Sequence, residues 1–449
     1  MKTMRTMAMV LFAMLFTAPA WAAGEAVQEE DLDVLMQWND NAPPIPPTKV
    51  TQDNYLHVIG SYHNQQIKKE AYLIKEIVYA DKDANYALAR EKRDEGRYTL
   101  AAFYFAEALD SLKDHKWAPE LCNYGIGNAF FTAGIFDGYK GKQRQYVPAV
   151  EYFKKALDAN PKSRYMLDIV TKMPECYAEM SEDKLTEAEA AVKDAEERIK
   201  KYRDETGKVA QGMGYSENAD KALVQLSISK AVIAEKSAIR EKPGKTWQQA
   251  AALWHEARTK AKKYPEFAGT CVEGELRALI EMKDYNKAEQ EANFIIDSYN
   301  KNSDYALIPQ LPAAYMSLGR ANMAEAVQFE TGGNVPRANN SYAEARWAFL
   351  NVIVQFSGND DYVAQAHYLS GLCYDKLKDV EKEDAQSKAI KEWQSVVANF
   401  PKSEYRDKAA KKLEGYGIKI EAPPPPAPKA ADTSPPKEPK DTKKPAKGK

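Results

Sequence analysis

A pattern of small and aromatic residues at helical spacing returns five times along this chain of 449 residues. The two clearest copies share an alanine, an aromatic residue four positions later and a proline twelve positions after the alanine. They are Ala149, Phe153, Ala156 and Pro161, and Ala389, Trp393, Val396 and Pro401. Recurrence at a period of roughly thirty residues indicates a stack of helical hairpins. Such stacks mostly bind other molecules, so the pattern predicts an architecture and leaves the partner open.

Helix is the expected structure from about Thr51 to about Leu413, because alternating β-branched runs are few in this stretch. Two helices approach closely where a small residue on one faces a large residue on the other. Three such pairs are expected: Gly127 with Phe153, Gly319 with Phe349, and Gly371 with Trp393. The predicted fold class is all-α, a solenoid of helical hairpins with a disordered C-terminal tail. A last helix, Tyr405 to Leu413, should cap the array, because a terminal repeat needs a solvated outer face.

The sequence divides into six segments by composition and pattern. They are a signal peptide (1–22), an N-terminal segment with a proline-rich linker (23–50), helical hairpins (51–163), an irregular helical spacer (164–245), further hairpins with the capping helix (246–420) and a proline- and lysine-rich tail (421–449). Within the second segment, Leu32, Val34, Leu35 and Trp38 suggest one short helix. The dense prolines that follow forbid a helix and indicate an extended strap.

The first residues are typical of an export signal. Lys2 and Arg5 precede an uncharged apolar run, and Ala20–Trp21–Ala22 forms a small-x-small cleavage site. A non-cleaved anchor is the alternative. No cysteine lies directly after the site, since the first in the chain is Cys122, and this disfavours a lipoprotein. The prediction is a periplasmic or secreted protein, cleaved near Ala22, whose mature chain has no transmembrane helix.

The tail from Glu421 to Lys449 contains nine prolines and seven lysines. It cannot bury a core and is expected to be extended and disordered. It is either a spacer or a weak tether to acidic cell-wall polymer or lipid headgroups. The formal net charge of the whole chain is -2, and no arginine-rich face with interleaved aromatics occurs. Nucleic acid is therefore not an expected partner.

Known catalytic and metal-binding patterns are missing from the sequence. The five histidines have no metal-ligand spacing, and there is no nucleophile or phosphate-loop motif. The four cysteines lack a CxxC pair, so neither zinc nor redox chemistry is expected. They are either core-packed free thiols or include one disulfide between Cys122 and Cys176. We expect no enzyme, no cofactor, no metal site and no catalytic residue.

With these residues in place, the chain resembles the tetratricopeptide repeat family. The sets that begin at Gly371 and Gly127 match the family pattern most completely. In that family the small residue lies about twelve positions before the alanine of the second helix. Here Gly319 and Ala345 are twenty-six apart, so longer interhelical loops are expected. The junction from Phe400 to Tyr405 looks like the terminal repeats of exported bacterial tetratricopeptide proteins, which implies a cell-envelope scaffold.

The candidate partner-binding residues lie on the first helices of the hairpins, which line the concave face in arrays of this kind. Arginine binds carboxylates in pairs of hydrogen bonds, and tyrosine supplies rigid contact area with a polar tip. The candidates are Arg90, Arg277, Arg320, Asn128, Tyr86, Tyr124 and Tyr368. A groove for an extended acidic peptide or a chain terminus is one interpretation. The other is that these residues form intramolecular pairs on a solvated face.

The predicted function is that of an exported, non-enzymatic scaffold that binds protein or peptide partners in the cell envelope through its concave face. The alternative is a ligand-capture module that binds a polysaccharide or a nutrient through an aromatic-rich groove.

Overall fold

The structure, a computed structural model, divides the chain into two compact units, residues 1–226 and 227–449. It describes residues 33–37, 43–63, 65–79, 83–136, 142–209, 213–241, 245–302, 305–381, 383–401 and 403–418. The predicted signal peptide and the predicted disordered tail lie outside these residues. The unit boundary falls inside one long helix, between Leu226 and Ser227.

The first unit begins with strands, which the sequence did not predict. They are β1 (Val34–Gln37), β2 (Lys49–Asp53), β3 (His57–Tyr62), β4 (Gln65–Glu70) and β5 (Ile74–Val78). β1 pairs with β5, and β2, β3 and β4 form a second antiparallel sheet. The short helix suggested by Leu32, Val34, Leu35 and Trp38 is therefore wrong where the structure describes it, and so is helix from Thr51. A small shared core that includes Leu35, Val58 and Ile77 holds these segments as strands, and tertiary packing outweighs local propensity.

Helices follow from Asp83, whose carboxylate accepts the Tyr86 amide and caps the first helix. They are α1 (Ala84–Asp94), α2 (Tyr98–Ser111), α3 (Ala118–Phe136), α4 (Lys142–Ala159), α5 (Met166–Met180), α6 (Leu185–Val209) and α7 (Met213–Glu241). From α1 to α6 each helix packs on the next. The segment 164–245, expected to be an irregular spacer, thus contains regular helices, and α5 and α6 form a further hairpin.

The second unit continues the same arrangement after the shared helix α7. Its helices are α8 (Lys245–Ala261), α9 (Pro265–Glu281), α10 (Tyr285–Asn302), α11 (Leu311–Thr331), α12 (Val335–Gln355), α13 (Asp360–Glu381), α14 (Glu383–Asn399) and α15 (Tyr405–Gly415). Consecutive helices contact each other, and α9, α11, α13 and α15 also contact in that order. The first helices of successive hairpins therefore lie side by side, and α15 covers the last hairpin as predicted. The predicted all-α array of tetratricopeptide-like hairpins is confirmed for this helical part of the chain.

The three predicted contacts between glycine and an aromatic ring are confirmed. A methyl group added at Gly127 would lie 2.7 Å from Cδ1 of Phe153, and one at Gly371 would lie 2.8 Å from Cδ1 of Trp393. A methyl group added at Gly319 would likewise overlap the ring of Phe349. Carbon atoms do not approach that closely, so each glycine is the residue that lets its two helices meet.

The long spacing between Gly319 and Ala345 comes from longer helices, and the expectation of longer loops is wrong. α11 and α12 span 21 residues each, and only Gly332, Gly333 and Asn334 separate them. Gly333 has a positive φ of 76°, and the Asn334 side chain accepts the amide of Arg337. This glycine stop and asparagine cap make a tight turn.

All four cysteines are buried and free. The predicted alternative of a Cys122–Cys176 disulfide is therefore wrong, and the prediction of free thiols packed in the core is confirmed. Each belongs to a first helix, respectively α3, α5, α9 and α13. Among the described helices, none combines the length and the apolar composition that crossing a membrane requires.

Candidate functional site

The seven candidate residues fall into two groups, one in each compact unit. Arg90, Tyr86, Tyr124 and Asn128 belong to α1 and α3 of the first unit. Arg277, Arg320 and Tyr368 belong to α9, α11 and α13 of the second.

In the first unit, the candidates contact residues of the same unit. Arg90 pairs with Glu76 of β5 at 3.0 Å. Tyr86 is 7% exposed and packs edge-on against Phe105, so it belongs to the core and offers no surface to a partner. Burial raises the pKa of its phenol far above the ordinary value.

Tyr124 and Asn128 join a polar contact between α3 and α5. The Tyr124 hydroxyl donates to Asp168 at 3.0 Å, and its ring stacks on Tyr165 at 4.0 Å. Lys172 donates to both Asp168 and Asn128, each at 2.7 Å. This group is a small hydrogen-bonded network on the surface of the first helices.

In the second unit, Arg277 is held along one edge by a buried glutamate. Its Nε and Nη2 donate to the two carboxylate oxygens of Glu235 at 3.1 and 2.9 Å. Burial alone would lower the pKa of Arg277, but the Glu235 carboxylate raises it above the ordinary value. The guanidinium is fixed in a planar two-point contact, and 41% of its side chain remains exposed.

Glu273 of α9 is the centre of the second group. Its Oε1 lies 3.3 Å from Nη1 of Arg320 and 3.7 Å from Nη1 of Arg277. Its Oε2 accepts the hydroxyl of Tyr362, on α13, at 2.9 Å. Burial, followed by the nearby Glu273 carboxylate, raises the pKa of Tyr362 above its ordinary value. Donors from three helices therefore converge on one carboxylate.

Tyrosines extend this surface to α15. Tyr405 lies within hydrogen-bond reach of Arg320 and accepts from Gln365, and its ring lies 5.5 Å from that of Tyr368. Burial raises the pKa of Tyr405 to about 12. We call the surface formed by Glu273, Arg277, Arg320, Tyr362 and Tyr405 the first-helix face.

The sequence pointed to the two arginines of the first-helix face and missed their acidic partners. Glu273 lies one helical turn before Arg277, so an i,i+4 pairing was a local signal that could have found it. Glu235, Tyr362 and Tyr405 lie 42, 85 and 128 residues from Arg277, and no local pattern links them.

The first unit also contains a cleft of about 750 Å³ that the sequence did not predict. Tyr55, Tyr72, Tyr165 and Tyr202 line it together with Arg164. These positions lie on the strand segment, at the start of α5 and near the end of α6. Because half of the wall belongs to a segment expected to be helical, sequence reasoning could not assemble it.

The cleft is held together by hydrogen bonds between the strand segment and the helices. Arg164 donates to the carbonyl of Ile74 at 3.1 Å and to the hydroxyl of Tyr165 at 2.7 Å. The Tyr55 hydroxyl donates to Glu205 of α6 at 2.7 Å. A cleft of this volume with aromatic walls is of the size that binds small molecules.

Within the described part of the chain, no group of three histidine, cysteine, aspartate or glutamate side chains is placed to hold a metal ion.

No protein-family model and no curated protein matches this chain. Among solved structures, it is similar to a signal-transduction ATPase with numerous domains and a tetratricopeptide repeat sensor from Pyrococcus horikoshii. The two are 15% identical with a TM-score of 0.36, over 74% of this chain and 49% of that one. The match thus spans about half the length of the ATPase, and a TM-score of this size supports no conclusion about function.

Proposed function

We propose that this protein is an exported, non-enzymatic scaffold that binds protein or peptide partners in the cell envelope. The observation that carries the proposal is the first-helix face. Four neighbouring helices present two arginines and two tyrosines on one continuous surface, together with Glu273. Arginine and tyrosine are the residue types that protein interfaces favour.

The absence of catalytic motifs in the full sequence supports a non-enzymatic role. The charged start, apolar run and small-x-small site at 1–22 support export, and the terminal-repeat resemblance supports the envelope. The basic tail would add a weak contact with acidic cell-wall polymer or lipid headgroups.

The proposal is tested by an affinity pull-down of the mature chain from an envelope extract of its source, read by mass spectrometry. One variant carries Arg277→Ala and Arg320→Ala together. The matched control is Arg346→Ala, which also loses an arginine–glutamate pair but on α12, away from the first-helix face. Circular dichroism checks that the variants keep their helix content.

We expect the double variant to lose a protein that the wild type and the Arg346→Ala control both retain. Equal capture by all three chains would contradict a site on the first-helix face. An Arg90→Ala variant then tests the corresponding helix of the first unit.

The tyrosine-lined cleft favours a second candidate function, the capture of a polysaccharide or another nutrient. Sugar-sized ligands fit its volume, and its tyrosine rings offer flat contact area with polar edges. Glycan binding that Tyr72→Ala abolishes, with no co-purifying protein, would favour this candidate over the scaffold.

A further inference from the structure

The first-helix face contains a complete set of carboxylate-binding groups, and the protein's own Glu273 fills it. Arg320 and Arg277 approach one oxygen at 3.3 and 3.7 Å, and the Tyr362 hydroxyl binds the other at 2.9 Å. The two cations and the neutral donor come from three different helices. Such an arrangement recognises the carboxylate group itself, whatever chain carries it.

The two glutamates in this network differ in their access to solvent. The Glu235 side chain is only 9% exposed and grips Arg277 from the interior with two hydrogen bonds. The Glu273 side chain is 24% exposed, beside Arg320 at 25% and Arg277 at 41%. Glu235 therefore fixes the arginine in place, whereas Glu273 holds the solvent side, where a second carboxylate can replace it.

An internal carboxylate at this position has two physical consequences. It separates two guanidinium groups that would otherwise repel each other, so the donors stay arranged without a partner. It also competes with any partner carboxylate, because each new charge-assisted hydrogen bond replaces one that already exists. The free protein is therefore pre-organised for an acidic partner and attenuated toward it at once.

We infer that Glu273 is a built-in competitor for the carboxylate of the partner, and that the partner binds through an acidic side chain or a chain terminus. This inference rests on the proposed function, since it assigns partner chemistry and regulation to the same face. A partner whose carboxylate reaches Arg320 and Tyr362 displaces Glu273 toward solvent. Removing the Glu273 carboxylate should then increase affinity, whereas removing either arginine should reduce it.

The carboxylate-binding group of Arg277, Arg320 and Tyr362 can be tested without knowing the partner, with acetate as the probe. In the Glu273→Ala variant Arg320 and Tyr362 lose the Glu273 carboxylate, Arg277 keeps only that of Glu235, and acetate should occupy the position that Glu273 leaves. We expect sodium acetate to raise the thermal midpoint of Glu273→Ala above its value in sodium chloride of equal ionic strength. Acetamide should not, and acetate should leave the wild type unchanged.

Two controls make the acetate effect specific. Glu381→Ala also exposes an arginine, since Glu381 accepts two hydrogen bonds from Arg346 at 2.7 and 2.8 Å. Among the described residues Arg346 is the one arginine paired with Glu381, whereas two arginines approach Glu273. Adding Arg320→Ala to Glu273→Ala should remove the response to acetate. An equal response of Glu381→Ala, or no response of Glu273→Ala, would overturn the inference.

The regulatory half of the inference is tested with a fluorescent glutamate-rich peptide. We expect Glu273→Ala to bind it about tenfold more tightly than the wild type, as exchange of one close charge pair allows. Amidated and free-acid peptides separate side-chain carboxylates from the chain terminus. Glu273→Gln keeps an acceptor for Tyr362 and covers the case in which Glu273→Ala does not fold. Weaker binding by both variants would contradict the competitor role.

The outcomes separate this inference from the proposed function. If acetate stabilises Glu273→Ala but the arginine variant captures the same proteins as the wild type, the carboxylate-binding role of this group stands and the proposed scaffold site is rejected. Arginine-dependent capture without acetate rescue keeps the scaffold and rejects Glu273 as a competitor.

Discussion

Buried charged side chains connect the strand segment of the first unit to its helices. Arg164 lies 3.3 Å from Asp53 of β2, and both side chains are nearly inaccessible to solvent. Glu120 of α3 accepts the side-chain amide of Asn160 at 2.7 Å beside them. Burial outweighs these hydrogen bonds and the attraction of Arg164, and it raises the pKa of Glu120 to about 7.

This shift predicts how stability depends on pH. An unfolded glutamate has an ordinary pKa of 4.5, so the folded state binds the proton more tightly between pH 4.5 and about 7. The protonated Glu120 therefore contributes up to about 3 kcal/mol to the free energy of unfolding. This contribution is fully present below pH 4.5 and is lost as the pH rises through 7. The buried Asp53, whose pKa burial also raises, acts in the same direction.

We expect Glu120→Gln to flatten this dependence and to be more stable than the wild type at pH 8. Glutamine keeps an acceptor for Asn160 and never ionises. The measurement is the urea midpoint between pH 5 and 8, with the exposed Glu151→Gln as control. Parallel curves for Glu120→Gln and the wild type would show that Glu120 does not carry the effect.

At the residue scale the sequence predicted Arg277 and Arg320, because both follow a helix period beside small packing residues. Arg277 pairs with Glu235 and Arg320 pairs with Glu273, and only the folded chain brings these residues together. The intramolecular pairs that the sequence left as an alternative are present, and partner binding stays a prediction.

At the scale of elements, neighbouring helices pack closely where an aromatic ring on one helix lies against a glycine on the other. Trp254 of α8 and Gly274 of α9 repeat the arrangement, and so do Phe105 of α2 and Gly125 of α3. The sequence predicted three of these contacts because their residues follow the repeat pattern. It did not predict these two, because the ring precedes the glycine along the chain.

These contacts predict opposite effects for the same substitution. Gly319→Ala and Gly371→Ala each add a methyl group that overlaps a ring, that of Phe349 and that of Trp393 respectively. Each substitution should lower the free energy of unfolding by about 1–3 kcal/mol. Gly207→Ala, exposed in the last turn of α6 with no atom near the new methyl group, should raise it by up to about 0.5 kcal/mol. Denaturant titration followed by circular dichroism measures all three, and a common sign would reject the steric explanation.

The strands are the elements that sequence reasoning missed. β4 reads Gln-Gln-Ile-Lys-Lys-Glu, a polar run without clear alternation, and β5 buries only Ile74 and Ile77. Their conformation is set by pairing with β3 and β1, over contacts that the local pattern does not encode. A long helix can be predicted from the periodicity of its own residues, whereas a short strand is determined by the strands with which it pairs.

At the scale of the molecule, a stack of hairpins is stabilised mainly between neighbours, so its last element must be covered. α15 does this with Ala409 and Leu413, both buried against the cluster that contains Trp393 and Tyr374. The sequence predicted this helix and its role, because its pattern continues the repeat and then stops.

We expect a chain ending at Phe400 to have a markedly lower thermal midpoint and to aggregate. It exposes Trp393 and loses the burial of Leu413, which alone is worth about 1.5–3 kcal/mol. A chain ending at Ile420 removes only the predicted disordered tail and should keep the wild-type midpoint. Equal loss in both chains would mean that the tail contributes to the fold.

The ring and the glycine of these contacts occur in both orders along the chain. Inside the hairpins α3–α4, α11–α12 and α13–α14 the glycine comes first along the chain. In the contact α2–α3, which joins one hairpin to the next, and in the contact α8–α9, the ring comes first. The same fit of ring into glycine thus recurs within and between repeats. Helix α3 receives a ring from the preceding helix at Gly125 and another from the following helix at Gly127, so both of its neighbours fix its position in the array.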